Sequence, residues 1–201
     1  MSLAGPAGPL EAVLEFPAGT APRALAVVCH PHPLFGGTLT NKVVHSVARA
    51  CVAQGAATLR FNFRGVGASA GSYDEGRGET DDLLAVVRHA RSHVVDLPLW
   101  LGGFSFGSFV ALRGQAAAGA QRLVTVAPPV GRWDFSALAA PQCPWLVVQG
   151  DKDELVDHRQ VEAWVSALAP QARLVLLPGA EHFFHGRLHE VKAAVSEFLS
   201  A

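Results

Sequence analysis

Cysteine is scarce in this chain: Cys29, Cys51 and Cys143 are the only three. Their odd number, wide spacing and lack of a C-x-x-C pair exclude a disulfide framework. They fit buried thiols in a reducing compartment, so a cytoplasmic protein is expected. Neither sign of charge is in excess, with 16 Lys and Arg against 17 Asp and Glu. That balance removes the electrostatic reason to bind nucleic acid or a membrane surface, and neither is expected as a partner. No stretch reaches the ~18 consecutive apolar residues of a membrane span. Residues 1–9 lack basic residues and an apolar core, which argues against a signal peptide and reads as a flexible tail. Hydrophobic residues are abundant, 50% of the 201. They suffice for one domain, residues 1–201, with a core that needs no covalent staples.

These apolar residues fall in short blocks. Leu10 to Phe16 alternates with Glu11 and Glu15, as a half-exposed edge strand does. Ala24–Cys29 is a solid apolar run of the kind covered on both faces. Thr58–Phe63, Leu99–Leu101, Arg122–Ala127, Trp145–Gln149 and Arg173–Leu177 read as further strands. Between them Val43, Val44, Val47, Ala48 and Cys51 recur at helical spacing, behind the capping stretch Thr40-Asn41-Lys42. A helix over Thr80–His93 starts acidic and ends basic, which suits its dipole. Val161, Trp164, Val165 and Leu168 predict an amphipathic helix closed by Pro170, and Leu188–Leu199 a last one. Regular alternation of strands and helices predicts the α/β class: a mostly parallel, doubly wound sheet with helices on both faces.

One stretch carries more chemistry than the others. The strand at Leu99–Leu101 breaks at Gly102-Gly103, and a helical stretch through Val110 and Leu112 follows at once. At the break stands Gly103-Phe104-Ser105-Phe106-Gly107, a G-x-S-x-G sequence at a strand-to-helix turn. Such a turn strains the serine backbone and pushes its hydroxyl out at the top of a sheet, with small residues where backbone crowds in. The chain holds a control, because Gly67-Ala68-Ser69-Ala70-Gly71 matches the same pattern. There loop residues, Ser72 to Gly78, follow the serine instead of a helix, so Ser69 reads as a loop serine and Ser105 as the nucleophile.

In a parallel sheet, ligand sites lie beyond the carboxyl ends of the strands, where His30, Ser105, Asp153 and His182 all fall. A serine hydroxyl needs a neutral imidazole to take its proton and a carboxylate to orient that imidazole. His182 is the expected base and Asp153 the expected orienter, with Asp151 and Asp134 as rivals. His185 and His189 read as solvated. No H-E-x-x-H pattern includes the three histidines, and no metal is expected. The oxyanion of an acyl intermediate needs N–H donors. One is expected from Phe106. The other should come from the His30–Gly37 loop, in which Pro31 and Pro33 have none to give. Leu34 is the first choice there and His32 the second, while the rings of His30 and His32 read as structural hydrogen-bonders. Arg64-Gly65-Val66-Gly67 lacks the third glycine and the helix of a dinucleotide turn.

Together these segments resemble the α/β-hydrolase superfamily, and within it the small, lidless, dienelactone-hydrolase-like serine hydrolases. The resemblance is carried by His30-Pro31-His32-Pro33-Leu34-Phe35-Gly36-Gly37-Thr38, Phe61-Asn62-Phe63-Arg64-Gly65-Val66-Gly67, the Ser105 motif, Gly150-Asp151-Lys152-Asp153 and Glu181-His182-Phe183-Phe184. It implies cofactor-free hydrolysis of carboxylic esters or related acyl compounds, with Ser105, Asp153 and His182 as the triad. Dienelactone hydrolase itself uses a cysteine where this chain has Ser105, so dienelactone is not the expected substrate. The connection from Ala127 to Pro144, about 17 residues, is a loop rather than a lid. An open site for short-chain esters follows, with Phe35, Phe104, Trp133 and Phe183 as candidate apolar walls. The expected partner is a small-molecule acyl ester, and a homodimer is left open. Thioester or small-peptide hydrolysis on the same triad, or a non-catalytic ligand receptor on the same fold, are the alternatives.

Overall fold

The computed structural model describes residues 1–94, 96–169 and 172–201. Eight strands form one sheet: β1 (Ser2–Gly5), β2 (Gly8–Glu15), β3 (Ala24–Cys29), β4 (Ala56–Phe61), β5 (Leu99–Phe104), β6 (Arg122–Val126), β7 (Trp145–Gly150) and β8 (Arg173–Leu177). Among the described residues five α-helices are interleaved: α1 (Lys42–Ala53), α2 (Arg77–His93), α3 (Phe106–Ala118), α4 (His158–Leu168) and α5 (Leu188–Ser200). The strand order is β1-β2-β4-β3-β5-β6-β7-β8. Strands β3 to β8 pair in parallel, whereas β2 pairs antiparallel with both β1 and β4.

Side-chain alternation on β3 accounts for two layers of helix. Leu25, Val27 and Cys29 enter one apolar core with Leu83 and Val86 of α2, Val110 and Leu112 of α3, and Val161 and Val165 of α4. Ala24, Ala26 and Val28 enter the other, with Val43, Val44 and Val47 of α1 and Val191 and Val195 of α5. Residues on both faces are therefore apolar, and the central strands read as unbroken hydrophobic runs. The α1 cap is as expected: Asn41 Oδ1 accepts from the N–H of Val43 at 2.9 Å and Val44 at 3.3 Å. No helix among the described residues is long and apolar enough to cross a membrane.

Several expectations are corrected. The flexible tail at 1–9 is instead a hairpin: Leu3 lies opposite Leu10, both are buried, and the Met1 amino group bonds the Ala12 carbonyl at 2.8 Å. The strand is too short, and its Gly5–Gly8 turn too rich in glycine and proline, to show a period. In consequence β1, not β2, forms that edge of the sheet. Helix α2 starts three residues early because Glu79 reaches back to accept from the Gly76 N–H at 2.7 Å. Pro170, expected to close α4, lies outside the described residues.

Candidate active site

Between β5 and α3 a single residue makes the turn. Ser105 has φ 53° and ψ −121°, a region that costs a non-glycine residue strain and persists only where its surroundings hold it. Here the Ser105 N–H donates to the Val126 carbonyl at 2.9 Å, and its own carbonyl accepts from Ser108 at 2.8 Å. A Cβ on Gly103 would run into the Gly107 carbonyl, and one on Gly107 into the Cys29 and His30 carbonyls. Both motif glycines are thus required by close backbone approach.

Ser105 Oγ lies 3.1 Å from His182 Nε2, and His182 Nδ1 lies 2.7 Å from Asp153 Oδ2. The imidazole comes from the turn after β8 and the carboxylate from the turn after β7, so three strand ends meet at one point. Asp153 Oδ1 also accepts from the N–H groups of Leu155 at 2.9 Å and Val156 at 2.8 Å, and Oδ2 from Gln149 Nε2 at 2.9 Å. Burial opposes the Asp153 charge, but these donors, His182 first, outweigh it and hold the carboxyl below its ordinary range. A carboxylate facing Nδ1 keeps that proton on Nδ1 and leaves Nε2 to accept from the serine.

The rivals are engaged elsewhere. Asp151 accepts from the Gly179 N–H, and Asp134 from Ser136. His185 faces Glu181 at 3.5 Å in solvent, and His189 is exposed. Ser69 is buried, donating to the Asn62 carbonyl at 2.7 Å and accepting from the Glu11 N–H at 2.9 Å, with no hydrogen bond to an imidazole among the described residues.

This geometry can be set beside known proteins. A family model described as an alpha/beta hydrolase domain matches residues 27–197. The chain belongs to the α/β-hydrolase family. It is similar to a solved α/β serine hydrolase without lid from Xanthomonas campestris, at 45% identity and a TM-score of 0.95 over 99% of this chain and 92% of that one. An α/β serine hydrolase homologue from Coxiella burnetii matches at 43% identity and a TM-score of 0.94, over 98% of this chain and 95% of that one. An uncharacterized protein from Rickettsia prowazekii is 34% identical, covering 97% of this chain and 86% of its own length.

In this α/β-hydrolase the loop after β3 faces the elbow and corrects one expectation. The Leu34 N–H donates to His32 Nδ1 at 3.2 Å, and Leu34 is exposed and does not line the cavity around Ser105. The His32 N–H has no acceptor among the described residues, and the same is true of the Phe106 N–H at the start of α3. His32 lines the cavity that holds Ser105, and Phe106 follows Ser105 directly in the chain. His32 also packs its ring against Phe35, Tyr73, Phe106 and Trp133. Burial lowers its basicity and keeps Nδ1 free to accept. His30 is a structural tie: Nδ1 donates to the Pro31 carbonyl at 2.6 Å, and Nε2 accepts from the Phe63 N–H at 3.0 Å. Burial, partly offset by the Pro31 bond, pushes its pKa down to about 4.

The cavity at Ser105 and His182 has a volume of about 200 Å³. Phe35, Trp133 and Phe183 line it, as expected, and Leu155 and Val156 join them. Phe104 does not line it: fully buried, it packs behind His182 with ring centroids 5.2 Å apart. Leu155, Val156 and Gln149 carry little signal in the sequence: they stand at or just after a strand end, and Gln149 is a polar residue in an otherwise apolar strand. A larger groove of about 720 Å³ beside α3 shares only Trp133 with this cavity. Among the described residues no group of three or more His, Cys, Asp and Glu is placed to hold a metal ion.

Proposed function

We propose that the protein is a serine hydrolase that cleaves short-chain carboxylic esters through an acyl-enzyme. The observation that carries this is the continuous chain from Ser105 Oγ through His182 to Asp153, at 3.1 and 2.7 Å. In the proposed reaction Ser105 Oγ attacks the ester carbonyl while His182 Nε2 takes its proton, and Asp153 stabilises the imidazolium that forms. The oxyanion lies between the His32 and Phe106 N–H groups. His182 returns the proton to the departing alcohol. A water molecule, activated by the same imidazole, then releases the acid and restores Ser105.

Chain-length preference follows from the cavity. Its volume of about 200 Å³ is below the roughly 300 Å³ at which pockets for drug-sized ligands begin. The Ala127–Pro144 connection contributes no helix to cover it. The Xanthomonas protein, described as an α/β serine hydrolase without lid, supports the same reading.

The test is hydrolysis of p-nitrophenyl esters from acetate to palmitate by wild type, Ser105→Ala and Ser69→Ala. Turnover of acetate and butyrate, lost in Ser105→Ala and kept in Ser69→Ala, is expected. Inactivity of the wild type on the whole series would overturn the ester reading. A fluorophosphonate probe then separates other acyl hydrolysis, in which Ser105 is labelled, from ligand binding without turnover, in which it is not.

A further inference from the structure

The deepest polar group near Asp153 is the side chain of Gln149, the penultimate residue of β7. It is fully buried, and its Nε2 donates to Asp153 Oδ2 at 2.9 Å and to the Gly150 carbonyl at 3.2 Å. Its Oε1 is the one buried side-chain polar atom without a hydrogen-bond partner among the described residues. The amide cannot be turned over to repair this, because Oε1 would then face a carboxylate and a carbonyl, both acceptors. A buried acceptor left unpaired costs stability, and an apolar side chain of similar size would avoid that cost.

We propose that Gln149 is a positioning residue: its amide N–H holds Asp153 Oδ2 in register for His182 and, by sharing that oxygen, sets how strongly the carboxylate supports the imidazolium. This rests on the triad reading above. Oδ2 accepts two donors, Gln149 Nε2 at 2.9 Å and His182 Nδ1 at 2.7 Å, while Oδ1 is occupied by the Leu155 and Val156 N–H groups. A donor on a carboxylate oxygen lowers its basicity, so the Gln149 N–H draws charge from the bond that stabilises protonated His182. Removing it makes Oδ2 a stronger partner for the imidazolium, and the acid limb of the activity profile then moves to higher pH.

Among the described residues, the other ionisable groups around the pair make no hydrogen bond to Gln149. Glu154 Oε2 accepts the His182 backbone N–H at 3.1 Å, and Arg132 and His32 line the cavity. Asp151, Lys152 and Glu181 stand on the two turns that carry the pair. A shift in the acid limb on substitution of Gln149 therefore reports the Gln149–Asp153 contact.

The experiment is the pH profile of kcat/KM for p-nitrophenyl butyrate with wild type, Gln149→Met and Gln149→Leu, beside their thermal unfolding. The expected result is an acid limb moved upward by about 0.5–1 pH unit, a plateau kcat/KM lowered roughly three- to tenfold, and a Tm that does not fall. An unmoved acid limb, or a lower Tm with an unchanged profile, overturns the proposal and makes Gln149 merely structural. A wild type with no acid limb, or activity surviving in Ser105→Ala, overturns the triad reading instead. Should both variants fail to fold, NMR on the wild type decides: the Gln149 Nε2 protons should shift as His182 titrates, and resonances that ignore that titration overturn the assignment.

Discussion

His182 and Asp153 meet across 2.7 Å with 2% and 0% of their side chains exposed. The imidazole thus sits between a buried anion on one nitrogen and the Ser105 hydroxyl on the other. Replacing Asp153 with Asn keeps the shape but presents an amide to Nδ1, so the proton is no longer held there. A fall in kcat of about 10³–10⁴-fold is expected, measured on a short-chain ester with folding checked by circular dichroism. A loss below tenfold would remove Asp153 from the triad.

Asp153 also makes stability depend on pH. Its folded-state carboxyl titrates below its ordinary value, so it stabilises the fold above the ordinary carboxylate range. That stabilisation is lost as pH falls through the lowered value. Activity falls in the same direction but earlier, because an imidazole ordinarily takes up its proton well above the carboxylate range and then cannot accept from Ser105. Equilibrium unfolding and kcat/KM measured over the same pH series should therefore separate, with activity lost before stability.

The elbow stores strain at Ser105, whose φ is 53°. Ser105→Gly removes both the proposed nucleophile and the strain, whereas Ser105→Ala removes only the proposed nucleophile. We expect both variants to be inactive and Ser105→Gly to be more stable than Ser105→Ala by about 1 kcal/mol, read by urea denaturation. Equal stabilities would mean that the turn is held without cost.

The N–H proposed as the second oxyanion donor can be removed selectively, because the φ of −54° at His32 suits proline. His32→Pro deletes the donor and His32→Ala keeps it. Relative to His32→Ala, His32→Pro should lose a further 10²–10³-fold or about 3–4 kcal/mol in kcat. Equal activities would reassign the donor.

Leu3 tests the hairpin at the chain start. Its side chain is 2% exposed, so Leu3→Ala should destabilise the fold by about 2–4 kcal/mol. Residues acting as a frayed tail would give no measurable change.

Much of this protein was decided by local sequence. Apolar blocks such as Ala24–Cys29 and Trp145–Gly150 can satisfy their backbone only as central strands, and helical spacing between them forces the doubly wound arrangement. Strand ends converge at one edge of such a sheet, so Ser105, Asp153 and His182 could be placed together by position alone. The helix that follows Ser105 and the loop that follows Ser69 were enough to tell the two G-x-S-x-G motifs apart. Tertiary structure decided what depends on direction rather than order. The Leu34 N–H is taken by the neighbouring imidazole and the His32 N–H is left without an acceptor among the described residues, an outcome of loop geometry that spacing does not encode. Phe104 faces the back of His182 rather than the cavity, although its neighbours in the motif give no sign of it. Gln149, one polar residue in an apolar strand, acquires its contact with Asp153 only because β7 and the turn after it bring the two side chains together, and hydrogen bonding between groups so placed is a property of the folded chain.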